Sequence, residues 1–362
     1  MKLPGVLLLA VVGLVVLIYF FLRNRKHGAR PSEEEFFVST TPQSDARARN
    51  LLPTNGSHDR RDLLKAPDLP AAPASDGTYR PDPKVNWVVD VTFSKPTKLE
   101  KAVLLGGFDE KWMRKTGGPE LYGKGAADGR WTFVRAGGSP DLYTELAFAW
   151  RLLGESRESV KPVTATDLAS YLKALNNRVS VLGDPVLKPS ASPELGAETA
   201  CSLAELKTSC DRQAIVILKA PPNSQFEGRQ IWDVMMSLGL KWGDMDIFHW
   251  ANDSDQGDDS FFSVWTSSPP SYFLPEEIAV DRVHTADLIF GFSIPRNAAP
   301  QSVFSSMVRA AEYARERLGG ELLDTNGRAL DVGATQKEIS TIEQRLNAAG
   351  LPPGSHSTLY IF

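Results

Sequence analysis

The chain has 362 residues, 42% of them hydrophobic and 23% charged, with a formal net charge of −4. Two cysteines exclude a disulfide scaffold or a cysteine-rich zinc fold, and eight Trp, 17 Phe and eight Tyr exclude wholesale disorder. Mild acidity speaks against nucleic acid as the main partner, and the length suits about two domains.

Leu3–Leu22 is a run of 20 residues without a charge, which predicts a helix of about 30 Å, the thickness of a hydrocarbon core. Only Lys2 precedes it, whereas Arg23, Arg25, Lys26 and Arg30 follow. Basic residues stay on the cytoplasmic side, so the amino terminus faces outward and the bulk faces the cytoplasm. A cleaved signal peptide would carry its charge first and end on small residues, but this run ends in Phe20-Phe21-Leu22-Arg23. Residues 1–28 are therefore read as a transmembrane signal anchor with its basic flank. Cys201 and Cys210 are read as free thiols, consistent with that compartment.

Residues 29–84 read as a flexible arm. Positions 31–84 hold eight prolines, seven basic and nine acidic residues, with short apolar patches only at Phe36–Phe37 and Leu63–Leu64. Such a span buries too little apolar surface to offset the entropy of ordering it. Its expected role is reach from the membrane.

Residues 85–205 read as an α/β middle domain. Val85–Phe93 predicts a strand, Lys98–Leu105 a short helix, and Leu121–Val134 a hairpin turning at Asp128-Gly129. Leu142–Leu153 fits a strand or a helix. Thr166–Leu175 has helical spacing, with Thr164 as its cap and Asp167 three residues later. Gly123, Gly125 and Gly129 lack the spacing and the following Lys-Ser pair of a nucleotide loop.

Residues 206–362 read as the C-terminal domain. Strands are predicted at Ala214–Leu218, Met245–Trp250, Phe261–Trp265 and Ala286–Ile294. One helix is predicted around Ile231 and Met235, and the longest over Pro300–Leu318 before Gly319-Gly320. A short pair turns at Asn326-Gly327, and a last helix is capped by Thr335 with Glu338. The fold class is α+β: a β-α-β module with a largely antiparallel sheet and helices on one face. The other face should be polar if wet. Instead Ile215 and Ile217 alternate with Val216 and Leu218, and Ile289 opposes Phe290 and Phe292, so both faces are apolar. An exposed apolar face marks a partner site; docking onto the middle segment is the competing explanation. The middle segment follows a similar order of elements, which fits either a second, divergent copy of the module or chance similarity.

No catalytic, metal or cofactor site is legible. The five histidines, His27, His58, His249, His284 and His356, have no partner at metal-ligand spacing. His249 reads as a strand-end packing or hydrogen-bonding residue. Asp253, Asp255, Asp258 and Asp259 fail the calcium-loop pattern and read as a solvated acidic loop. Residues 211–362 carry 20 acidic and 12 basic side chains, net −8, against net +1 for 85–210. A neutral or basic peptide suits such a head better than nucleic acid or an anionic membrane.

Gly239-Leu-Lys-Trp-Gly-Asp-Met-Asp-Ile-Phe-His249, Phe262-Ser-Val-Trp265, Pro270-Ser-Tyr-Phe273 and Gly319-Gly-Glu-Leu-Leu-Asp324 together resemble the C-terminal domain of the ZipA cell division family. The likeness covers about residues 211–345, and the N-terminal anchor and arm fit the same architecture. The resemblance implies a non-enzymatic inner-membrane tether. It would have a periplasmic amino terminus and cytoplasmic domains at midcell, and would bind the tail of the division protein FtsZ on the sheet face. It places the family's groove positions on Met245, Ile247, Ile215 and Ile217, with Trp265 and Ser267 beyond the FS motif and an aromatic at Phe290 or Gly291. The expected peptide-binding set is Ile215, Ile217, Met245, Ile247, Trp265, Phe290 and Phe292, with no cofactor and no small-molecule substrate. A scaffold for a different peptide, or a membrane-tethered hydrolase, are the alternatives. The middle segment and the tail ending in Leu359-Tyr-Ile-Phe362 depart from the family, and the tail is expected to add a strand.

Overall fold

The computed structural model describes residues 51–52, 59–69, 78–95, 97–154 and 160–362. The expected membrane span Leu3–Leu22 lies outside these residues, and among the described residues no helix is long and apolar enough to cross a membrane. The chain divides into two compact units. The middle unit holds 78–209 with Tyr360–Phe362, and the C-terminal unit holds 59–69 with Cys210–Leu359.

The middle unit is built on β1 (Asn86–Phe93), β2 (Leu99–Glu100), β3 (Glu120–Gly125), β4 (Trp131–Phe133), β5 (Leu142–Arg151) and β8 (Pro185–Pro189). The sheet order is β4-β3-β5-β1-β8, with β2 also on β5 and every pairing antiparallel. A separate small pair, β6 (Leu153–Gly154) and β7 (Lys161–Pro162), follows β5. Leu142–Arg151, ambiguous in its periodicity, is a strand because it lies between two others and is buried on both faces. The register sets Trp87 against Trp150, Val89 against Phe148 and Val91 against Leu146. These residues point toward the helices α1 (Lys101–Gly107), α2 (Glu110–Lys115), α3 (Ala165–Val179) and α4 (Pro193–Cys210). Phe108 packs on Phe148 at 4.8 Å and Tyr171 stacks on Trp150 at 5.9 Å. Gly196 of α4 faces Trp87, where a Cβ would come within 3.0 Å of the indole.

Thr164 and Asp167 form the expected capping box on α3. Helix α4 was not expected. Its small and polar residues (Gly196, Thr199, Cys201, Ser202) hide the apolar stripe, although Ser192-Pro193-Glu194 is a start signal. It runs through the expected boundary at 205/206. Cys201 and Cys210 on it are not joined in a disulfide.

The C-terminal unit holds β9 (Gln213–Lys219), β11 (Lys241–Trp242), β12 (Phe248–Ala251), β13 (Ser260–Trp265), β15 (Asp287–Ser293) and β16 (Glu321–Leu323). They form an antiparallel sheet in the order β11-β12-β13-β15-β9-β16. Two short strands, β10 (Phe226–Glu227) and β14 (His284–Thr285), pair apart from it. The helices are α5 (Gly228–Ser237), α6 (Pro275–Ala279), α7 (Pro300–Leu318) and α8 (Val332–Ala348), and α9 (His356–Ile361) begins in this unit and ends in residues counted with the middle unit. Val216, Leu218, Phe290, Val264 and Phe248 share one face by register. Trp232 of α5 meets Phe248 at 5.4 Å, and Phe304, Met307 and Ala311 of α7 are fully buried. This is the helix-covered core.

Three details differ from expectation. Asp331, not Thr335, caps α8 by accepting from Ala334 N at 2.9 Å, because the helix begins at Val332, three residues before the expected cap. The tail forms α9 rather than a strand. Two pieces of the expected arm are also ordered on the units. Arg60 N donates to Ser237 O at 2.8 Å and Arg309 Nε to Leu63 O at 3.0 Å in the C-terminal unit. Tyr79 N donates to Trp131 O at 2.7 Å in the middle unit. Backbone hydrogen bonds offset the ordering entropy that the composition alone suggested would prevail.

Candidate peptide-binding face

The face of the C-terminal sheet opposite the helices is assembled by alternation along each strand. Ile217 of β9 pairs with Ile289 of β15, Ile289 with Trp265 of β13, and Leu323 of β16 with Ile217. Ile217, Ile247, Trp265 and Ile289 make a buried apolar cluster, and the partly exposed Ile215, Met245, Tyr272 and Leu323 pack around it. The cluster therefore has an apolar rim that water still reaches. Ile215, Ile217, Met245, Ile247 and Trp265 are brought together as expected.

Phe290 and Phe292 are not in this cluster. The register pairs Phe290 with Val216 and Phe292 with Ala214 on the helix side, and Phe290 is fully buried 6.3 Å from Phe262. They belong to the core, because residue 290 differs by one position from Ile289 and thus points the other way. The cluster position on β15 after Ile289 is Gly291. A Cβ there would come within 2.7 Å of Trp265 Cη2, so the indole lies across the glycine and fills the space a larger side chain would take. Ile289 was legible from alternation; Leu323 depends on the register of β16, and Tyr272, though inside the Pro270–Phe273 motif, carried no sign that it would join this face.

Met245 was expected on a strand, but it sits in a tight turn before β12. Met245 and Asp246 both have positive φ, 61° and 57°. Left-handed backbone is costly for such residues and persists only when the surroundings fix it. Here they do. Asp246 N donates to Gly243 O at 2.9 Å, Phe273 N to Asp246 O at 2.7 Å, and Trp242 Nε1 to Phe273 O at 2.7 Å. His249 ties the turn to the sheet, with Nδ1 2.8 Å from Ser263 Oγ and Nε2 2.9 Å from Asp244 O. Burial, with Glu276 and Asp244 nearby, raises the Asp246 carboxyl above its ordinary value.

Polar groups frame the face. Asp287 is buried and accepts from Ser267 N at 2.8 Å and Thr266 Oγ1 at 3.1 Å, with Lys219 Nζ at 3.7 Å. At the other end Arg296 grips Asp258 at 2.7 Å, and both side chains are nearly buried. The acidic loop is therefore partly structural rather than wholly solvated. Among the described residues no group of three or more His, Cys, Asp or Glu could hold a metal.

Residues 213–345 match the family model described as "ZipA, C-terminal FtsZ-binding domain". The chain is 27% identical over 151 residues to the cell division protein ZipA of Shewanella loihica, covering 41% of this chain and 44% of that protein. It is 32% identical over 114 residues to the ZipA protein of Marinobacter nauticus, covering 31% and 33%. For the ZipA protein of Pseudomonas aeruginosa the identity is 29% over 136 residues, covering 38% and 45%. The alignments span less than half the length of these relatives. The sequence match thus places a domain of the ZipA C-terminal type at residues 213–345, within the C-terminal unit.

Proposed function

We propose that this chain is a non-enzymatic tether of bacterial cell division. Its C-terminal unit binds the tail of FtsZ on the sheet face opposite the helices, and residues 3–22 hold it in the inner membrane at midcell. The observation that carries the reading is the cluster of Ile217, Ile247, Trp265 and Ile289 with its partly exposed rim of Ile215, Met245, Tyr272 and Leu323. A shallow apolar trough with a few rigid anchors suits a short apolar peptide. One tail binds weakly, and many tails on a polymer meeting many anchored heads supply the strength. The uncharged run Leu3–Leu22 and the basic residues after it support the anchor.

The middle unit reads as a divergent copy of the same module. In both units the first strand lies one in from the sheet edge, between the strands before and after a helix: β5-β1-β8 and β15-β9-β16. The hairpin attaches differently, by its first strand β3 in one unit and by its second strand β13 in the other.

Titration of the full chain in detergent with a labelled FtsZ tail peptide tests the binding. Met245→Ala should weaken it by about 1–3 kcal/mol with the fold intact. Equal affinity for that variant would reject the assignment of the face.

A further inference from the structure

We propose that the middle unit carries a second peptide-docking site, on its own sheet face opposite the helices, and that its resident ligand is the chain's own C-terminal tail. The site is distinct from the FtsZ reading and does not depend on it.

The face is set by the register of β1, β5 and β3. Asn86 pairs with Arg151, Val88 with Ala149, Glu120 with Ala149 and Tyr122 with Ala147. Val88, Trp131, Ala147 and Ala149 form a cluster on which Tyr122 packs. The two alanines on the middle strand, flanked by large aromatics, leave a trough rather than a ridge. Both ends of it are engaged by chain from outside the sheet. At one end Arg80 lies 4.9 Å from the Trp131 ring centroid and pairs with Asp90 at 2.7 Å. At the other end lies Tyr360.

The contacts of Tyr360 are those of a bound side chain. Its ring lies 4.5 Å beneath the Arg151 guanidinium, a cation–π pair. Its hydroxyl donates to Asn86 Oδ1 at 3.0 Å, and Asn86 is buried. Glu120, which accepts from Tyr122 at 2.6 Å, stands beside it. Beyond Tyr360, Lys207 of α4 donates to Ile361 O and lies 5.8 Å from the Phe362 ring centroid. Ile361 and Phe362 are both buried. An aromatic ring under an arginine, a buried amide acceptor for its hydroxyl and two apolar residues after it are a recognition set for a short C-terminal peptide. Tyr360 and Ile361 end the short helix α9 and none of residues 360–362 is in a strand, so withdrawing them from the trough breaks no strand of its sheet.

The test uses the chain ending at Leu359, in detergent, titrated with the tetrapeptide of residues 359–362 and followed by NMR. The expected result is saturable binding to the shortened chain, about tenfold weaker with Arg151→Ala, and none to the intact chain, whose site is filled. Absence of saturable binding to a folded shortened chain, or equal binding to the intact one, would overturn the proposal. Loss of the middle unit's fold on shortening would also overturn it, because the tail would then be a structural element and not a ligand. A second measurement needs no truncation. In the full chain, Arg151→Ala should speed hydrogen exchange at the amides of Ile361 and Phe362 about tenfold while those of β1 and β5 are unchanged. Unaltered exchange at the tail would equally overturn it.

Discussion

Gly291 and Trp265 show how one missing side chain shapes the C-terminal face. The indole occupies the space above the glycine, and a Cβ there would fall 2.7 Å from Cη2 and 3.3 Å from Ala214 O. Gly291→Ala should therefore displace the ring and cost about 1–3 kcal/mol by overpacking. A shift in the denaturant midpoint with an unchanged slope would show it. A midpoint equal to that of the unmodified chain would mean that the ring yields freely. Asp246 gives a prediction in pH. Its carboxyl is raised by burial first and then by Glu276 and Asp244. The folded state therefore holds the proton more tightly than the unfolded state does, and the ionised carboxylate opposes folding. That opposition is full above the raised folded value and disappears as pH falls below the ordinary carboxylate value. Asp246→Asn should stabilise the protein at neutral pH, and the gain should shrink on acidification across that window. A gain independent of pH would assign the effect to backbone preference alone, because Asn tolerates the φ of 57° well.

Among elements, the segment at 59–69 has the clearest consequence. Arg309 of α7 donates from Nε to Leu63 O at 3.0 Å and from Nη2 to Ser306 Oγ at 2.8 Å, while Arg60 lies 5.2 Å from the Tyr313 ring centroid. Arg309→Ala removes the main side-chain clasp. Charged hydrogen bonds are worth about 1.5–3 kcal/mol, so the segment should open at least about tenfold more often. Trypsin cleavage after Arg60 and Arg61 should quicken accordingly, and an unchanged rate would place the hold elsewhere. This clasp was not legible, because Leu63–Leu64 looks like any short patch and what Arg309 binds there is the backbone carbonyl of Leu63 rather than a side chain. What was legible rests on periodicity and punctuation. Gln213–Lys219, the long α7 ended by Gly319 and the capping box at Thr164 and Asp167 all declare themselves locally. Ile215, Ile217 and Ile247 follow from strand alternation in the same way, whereas Trp265 was placed by the family resemblance. Met245 does not, since its left-handed turn is fixed by Phe273 and Trp242 across the chain. Nor does the side taken by Phe290, where a one-residue choice of register reverses the face.

For the molecule as a whole, the proposed binding and the proposed anchoring belong to separate stretches of chain, and that separation can be tested. The segment at 59–69 counts with the C-terminal unit, so the connection from the expected anchor to it runs only from 23 to 58. At the greatest extension of about 3.3–3.6 Å per residue this spans at most roughly 120–130 Å. A weak single-tail interaction cannot hold FtsZ at a membrane unless anchored heads are concentrated within that reach. Vesicles carrying the full chain should therefore recruit FtsZ polymers, and vesicles mixed with the chain lacking residues 1–28 should not. Both forms should bind the tail peptide with the same affinity, because the cluster around Ile217 and Ile289 lies wholly in the C-terminal unit. If the shortened chain still brought polymers to the vesicles, the membrane contact would have to lie beyond residue 28. If it lost peptide affinity as well, anchor and binding face would be coupled rather than independent.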